Sequence, residues 1–96
     1  MGYTRVGVHG GKSRAENMTR MYEQGRMDLF GRLLYTLLIM ADRGITQQDI
    51  VDHTGLSRKT VNYTMVGARS FKIMERNLDL FDVALTEISD ERGWKP

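Results

Sequence analysis

Four polar side chains, Arg58, Lys59, Asn62 and Tyr63, fall at positions i, i+1, i+4 and i+5 of one short stretch. On a helix that spacing brings them to one side. Arginine and lysine donate to the O6 and N7 of guanine, asparagine matches adenine with a pair of bonds, and tyrosine adds an aromatic edge. The set suits the reading of base edges in a major groove. Carriers of other chemistry are scattered or missing. His9 and His53 lie 44 residues apart, and no carboxylate is spaced to share a metal with either. Asp49 and Asp52, at i and i+3, share a helix face that solvation explains. No phosphate loop, nucleophile elbow or zinc-protease motif occurs. With no cysteine in the chain, a disulfide frame and a cysteine-based zinc site are both excluded. The expectation is a protein that is not an enzyme and requires no cofactor or metal.

The elements that must hold the four residues are legible on either side of them. Residues 46–66 read as two short helices joined by a tight turn. Thr46 is placed as an N-cap, with Asp49 three residues on, an acidic variant of the capping box. Ile50 and Val51 supply the buried side of the first helix. Gly55 stands where the chain reverses and accepts the positive φ such a turn requires. Leu56 plugs the angle between the helices, Ser57 caps the second, and Val61 returns to the core beside Ile50.

In these residues (the Asp49–Ile50 pair, Gly55, Leu56, Ser57 and the Thr60–Val61 pair) the stretch resembles the helix-turn-helix of bacterial and phage repressors, the lambda-repressor-like superfamily that includes the lactose-repressor family. It departs from that pattern at Val51, where a small residue is expected, and at Thr64, where a large apolar one is expected and Met65 stands beside it. The motif spans 21 of the 96 residues, and a weaker likeness extends over residues 29–88. The resemblance implies an all-α, compact bundle of four to five helices with the motif at its centre. In that setting the second motif helix lies in the major groove and Arg58, Lys59, Asn62 and Tyr63 read bases. Thr46, Gln47, Ser57, Thr60, Arg69 and Lys72 would hold phosphates, the first few through helix N-termini. A packed helix pair that touches no nucleic acid is the competing reading, and the outward residues speak against it.

Composition agrees with a single domain, since 96 residues are too few for two independent cores. Hydrophobic residues at 41% and a single proline indicate a globular, helical chain. The longest apolar run, Leu37–Ala41, falls far short of the ~20 residues of a membrane span, and no secretory signal is evident. A cytoplasmic location is expected. The net charge of +2 conceals a division: residues 1–26 carry +3, residues 27–56 carry −2, residues 57–76 carry +4 and residues 77–96 carry −3. Positive charge thus gathers on the N-terminal stretch and on the second motif helix with its following loop, the footprint of phosphate contact.

Outside the motif, residues 1–12 hold four glycines and no helical period, which predicts a flexible basic arm. Residues 13–96 form the helical domain. Ser13 and Glu16 make a capping box that opens a helix through Met18, Met21 and Tyr22, ended or bent at Gly25. From Asp28 to Arg43 the residues Leu29, Phe30, Leu33, Leu34, Leu37, Leu38 and Ala41 give a wide apolar face, with Gly31 inside the helix at a cost of roughly 1 kcal/mol that a close helix crossing would explain. Ser70 caps a last helical stretch. There Phe71, Met74, Leu78, Phe81, Leu85 and Ile88 repeat at three- and four-residue steps, an a/d seam. The seam is the first candidate for a dimer interface and the face around Leu37 and Met40 the second.

These observations predict a sequence-specific DNA-binding transcriptional regulator, a repressor of bacterial or phage origin, that occupies a two-fold operator of double-stranded DNA as a homodimer. No small-molecule effector is expected, because no second domain is present to sense one. Two alternatives use similar residues. An architectural or packaging component, such as an excisionase or small terminase subunit, would bend DNA or form higher oligomers. An antitoxin-like module would co-purify with a partner protein.

Overall fold

Ser13, Thr46, Ser57 and Ser70 each accept a hydrogen bond from an amide in the turn they open. They thereby set the start of four of the five helices in the computed structural model, which describes residues 13–94. The helices are α1 (Arg14–Glu23), α2 (Met27–Arg43), α3 (Gln47–Thr54), α4 (Arg58–Met65) and α5 (Phe71–Glu91). Two of the caps are reciprocal. The Glu16 amide donates to Ser13 Oγ at 3.2 Å while the Ser13 amide donates to Glu16 Oε1 at 2.9 Å. The Asp49 amide donates to Thr46 Oγ1 at 3.1 Å while the Thr46 amide donates to Asp49 Oδ2 at 2.8 Å. Both boxes are those expected from sequence. The expected arm, residues 1–12, lies outside the described residues.

The fold is built on α5, a single unbroken helix that passes through Asn77 and packs against α2, α3 and α4, while α1 packs on α2. Met74, Leu78, Phe81, Ala84, Leu85 and Ile88 of α5 meet Leu29, Leu33 and Met40 of α2, Ile50 of α3, and Val61 and Met65 of α4 in one core, which Met18 and Met21 of α1 complete. This corrects the seam as a dimer interface. Met74, Leu78 and Phe81 are fully buried within one chain, Leu85 and Ile88 nearly so, and Phe71 packs partly against the same core. An apolar stripe of that period serves one core as well as it serves a seam between subunits, and here a single chain consumes it.

The second candidate face also shifts. Met40 is buried and Leu37 partly so, whereas Leu34, Tyr35 and Leu38 face outward. Gly31 makes no close crossing among the described residues, none of which lies within 4 Å of the point a Cβ would occupy. Ion pairs brace the outside of the bundle. Arg32 bonds Asp79 and Asp82 at 2.8 and 2.9 Å, joining α2 to α5, and His53 Nε2 meets Glu87 at 2.6 Å, joining α3 to α5. Trp94 is exposed and lies beside the Arg43 guanidinium. No described helix is long and apolar enough to cross a membrane.

Candidate nucleic-acid interface

An eight-residue helix is below the ~12–15 residues at which isolated helices persist in water, so the posture of α4 depends on what holds it. At its start, the turn Gly55–Leu56–Ser57 is closed from both sides. Gly55 takes φ +79° and its amide donates to the Val51 carbonyl at 2.9 Å. The Leu56 amide donates to Thr54 Oγ1 at 3.2 Å, and that hydroxyl donates to the Ile50 carbonyl at 2.7 Å. Ser57 then caps α4, accepting from the Thr60 amide at 3.0 Å and donating to Thr60 Oγ1 at 2.9 Å. Along its length, Val61, Thr64 and Met65 turn into the core. Thr64 answers the question raised by its polarity: Asn77 Nδ2 of α5 donates to its hydroxyl at 2.9 Å in a fully buried contact.

What remains outward on α4 is the set expected to meet bases. Arg58, Lys59, Asn62 and Tyr63 are all exposed. Arg58 Nη1 donates to Gln48 Oε1 on α3, and Gln48 Nε2 donates to Asp52 Oδ1 at 2.8 Å. The guanidinium has five N–H donors, so this tether orients it and leaves donors to spare. Tyr63 sits among cations, with Lys59 Nζ 5.6 Å and the Arg69 guanidinium 4.9 Å from the ring centroid, within cation–π range. The arrangement presents an aromatic plane bordered by positive charge.

The residues expected at phosphates divide. Lys72 is exposed in the first turn of α5, and Arg76, four residues on, is exposed on the same side. Ser57 and Thr60 lie together at the start of α4. Arg69 is half-buried, with Nε unpartnered among the described residues. Thr46 is already engaged, since Asp49 takes its amide and uses its hydroxyl as a cap. The same Asp49 carboxylate meets Arg92 at 3.1 Å. The Thr46 amide and then Arg92 keep its pKa below the ordinary carboxylate value, so a negative charge persists at the start of α3. That charge disfavours a phosphate at Thr46, and Gln47 is left half-buried beside it.

Besides Asn77, three supporting residues escaped the sequence reading. Gln48, which orients Arg58, is one. Asn17 and Arg20 of α1 are the others: Asn17 Nδ2 donates to the Val66 carbonyl at 2.7 Å, and Arg20 Nη2 donates to the Gly67 and Arg69 carbonyls at 3.0 and 3.2 Å. Through them α1 pins the loop after α4. Gly67 makes that approach possible, because a Cβ there would stand 2.9 Å from Met21 Cε and 3.0 Å from Asn17 Cβ. Only the closeness of two segments distant in sequence would have revealed this. The positive charge of the N-terminal stretch is accordingly spent in part inside the fold: Arg20 on the loop, and Arg26 on Asp28 and Glu75. Among the described residues no group of three or more His, Asp or Glu side chains could hold a metal ion. No protein-family model, curated protein or solved structure matches the chain.

Proposed function

We propose that the chain binds double-stranded DNA through α4 and acts as a small sequence-specific transcriptional regulator, with α3 and α4 serving as a helix-turn-helix of the lambda-repressor-like kind. The observation that carries this reading is the outward side of α4, where Arg58, Lys59, Asn62 and Tyr63 are exposed together while Val61, Thr64 and Met65 anchor the opposite side. Arg58 and Asn62 supply the two bidentate side chains that distinguish guanine and adenine in the major groove. Lys72 and Arg76 on α5, with Ser57 and Thr60 at the start of α4, supply phosphate contacts that fix the register. The mechanism is occupancy of an operator, which blocks or recruits polymerase.

The test is selection of preferred sequences from a random duplex pool, followed by binding of the selected and scrambled duplexes. Arg58→Ala should cost about 1–3 kcal/mol on the selected site and relax the preference at one position, while Lys72→Ala should weaken both duplexes alike. Affinity should fall on the order of 10³-fold between 50 and 200 mM salt if about six phosphates are neutralised. A pool that yields no preferred sequence, or an affinity indifferent to salt, would defeat the proposal.

A further inference from the structure

From Gly31 to Ala41 the exposed positions of α2 are Gly31, Leu34, Tyr35, Leu38 and Ala41, and none is charged. Met27, also exposed, lies on the same side one turn earlier. A helix whose outer side faces water ordinarily carries its charged residues there. Here the charges of α2 stand at the ends of the stripe or are engaged beside it. Asp28 pairs with Arg26 at its start, and Asp42 is exposed one turn past Leu38 at its end. Arg32 is committed to Asp79 and Asp82, and Arg43 bonds Ser89. The other exposed apolar pair, Leu80 and Val83 on α5, is by contrast set among Asp79, Asp82 and Glu87.

We infer that this side of α2 is the seam between two copies of the chain, with the two α2 helices crossing between Gly31 and Leu38. Two observations select a second copy as the occupant. The first is area. Taking a large side chain at roughly 200 Å², the exposed parts of Met27 (49%), Leu34 (41%), Tyr35 (61%) and Leu38 (67%) offer about 400 Å² of apolar surface per copy. At the roughly 60% apolar share of protein interfaces, this corresponds to about 1,300 Å² for the pair, within the 1,200–2,000 Å² of stable associations. The second is Gly31. A glycine in a helix interior weakens the helix, and nothing among the described residues approaches it closely enough to account for its presence. A backbone from outside does so, and a two-fold axis near Gly31 brings each glycine to the other helix. Beside the stripe, a groove of about 360 Å³ between α2 and α5, bordered by Tyr35, Ile39 and Leu85 together with the charged Arg32, Arg43 and Asp82, gives room for side chains of the second copy.

The purpose of the pairing rests on the DNA-binding reading. Helix α4 is about 12 Å long and covers roughly three to four base pairs at 3.4 Å each, so two copies double the sequence that is read. The association itself does not depend on that reading, and its test contains no DNA. Sedimentation of the full chain should show a dimer with a dissociation constant in the micromolar range or tighter. Leu38→Glu should raise that constant at least about a hundredfold, because the two-fold sets like charges against each other, while circular dichroism stays unchanged since Leu38 is exposed in the single chain. Gly31→Ala should have opposed effects: folding of the isolated chain strengthened about fivefold by helix propensity, and association weakened. A chain that is monomeric throughout the micromolar range leaves the face to another protein and overturns the inference, as does a Leu38→Glu variant that remains dimeric. A dimer that ignores DNA would sink the function proposed above and leave this seam intact.

Discussion

Replacing Thr64 with valine isolates the contact that locks α4 onto α5. Both Thr64 and Asn77 are fully buried. Asn77 Nδ2 donates to Thr64 Oγ1 at 2.9 Å, Thr64 donates in turn to the Thr60 carbonyl at 2.8 Å, and Asn77 Oδ1 is without a partner among the described residues. Valine has the shape of threonine, so the change opens no cavity. It removes the acceptor and leaves the Asn77 amide buried with neither end satisfied. A buried polar group stranded in this way costs about 1–3 kcal/mol. A loss of about 2 kcal/mol lowers Tm by about 8–16 °C in a domain of this size. Asn77→Leu removes the unpartnered Oδ1 at the expense of the Nδ2 bond, while Thr64 keeps its bond to Thr60, so that change should lie within about 1 kcal/mol of neutral. The double variant, Thr64→Val with Asn77→Leu, should recover most of the valine loss and give a coupling of about 1–2 kcal/mol. Urea titrations of the four proteins, read by circular dichroism with slopes compared, measure the cycle. A Thr64→Val loss below about 0.5 kcal/mol, or a double variant equal to the sum of the singles, would refute the account.

Gly67→Ala should cost about 1–3 kcal/mol, because alanine there combines an unfavourable φ of +77° with a Cβ 3.0 Å from Asn17 Cβ. Gly55→Ala meets only the cost of its φ, with no described residue within 4 Å of the added Cβ, and should cost about 1 kcal/mol. Equal losses in urea titrations would show that the approach of α1 to the loop does not matter. Acid should expose the Arg26–Asp28 pair. The hydrogen bonds from Arg26, at 3.0 and 2.9 Å, hold the Asp28 pKa down to about 2. The folded chain thus keeps this carboxylate charged where the unfolded chain, near pH 4, begins to protonate it. Its contribution to stability is complete above about pH 4 and is lost as pH falls through about 2. Asp28→Asn should therefore flatten the acid limb of a stability–pH series in that window, and an unchanged limb would count against the pair.

Much of the architecture was readable because it is local. Ser13 with Glu16 and Thr46 with Asp49 announce helix starts three residues apart, and the period of Leu29 and Leu33 or of Met74, Leu78 and Phe81 announces a buried side. The destination of a buried side is not local. The repeat from Phe71 to Ile88 has the same spacing whether it meets other helices of its own chain or a second subunit, and only the placement of α2, α3 and α4 around α5 decides between them. Leu34 and Leu38 show the converse, since they belong to the apolar period of α2 yet lie beyond the reach of the chain's own core. Polar residues are the least legible. Asn17 and Arg20 look like the solvated side of α1, but their partners at Val66, Gly67 and Arg69 are 47 to 49 residues away.

The outward residues of α4 thus depend on elements that carry none of them. An eight-residue helix contributes little stability of its own, and each restraint on it arrives from elsewhere: Gln48 on α3 orients Arg58, Asn77 on α5 holds Thr64, and α1 fixes the loop from which Arg69 reaches Tyr63. Pre-setting these side chains lowers the entropy that a binding partner would otherwise have to overcome. It also means that affinity can be lost without any change at the surface of α4. A substitution at Asn17 or Arg20 that frees the loop would release Arg69 and Tyr63 together, whereas one at Lys72 would remove a single charge and leave the others in place. The two classes differ in what they leave behind. On the DNA-binding reading proposed above, loss of a support would blunt discrimination among sequences, because several of the groups assigned to bases would move at once, and loss of an isolated cation would lower affinity for all sequences alike.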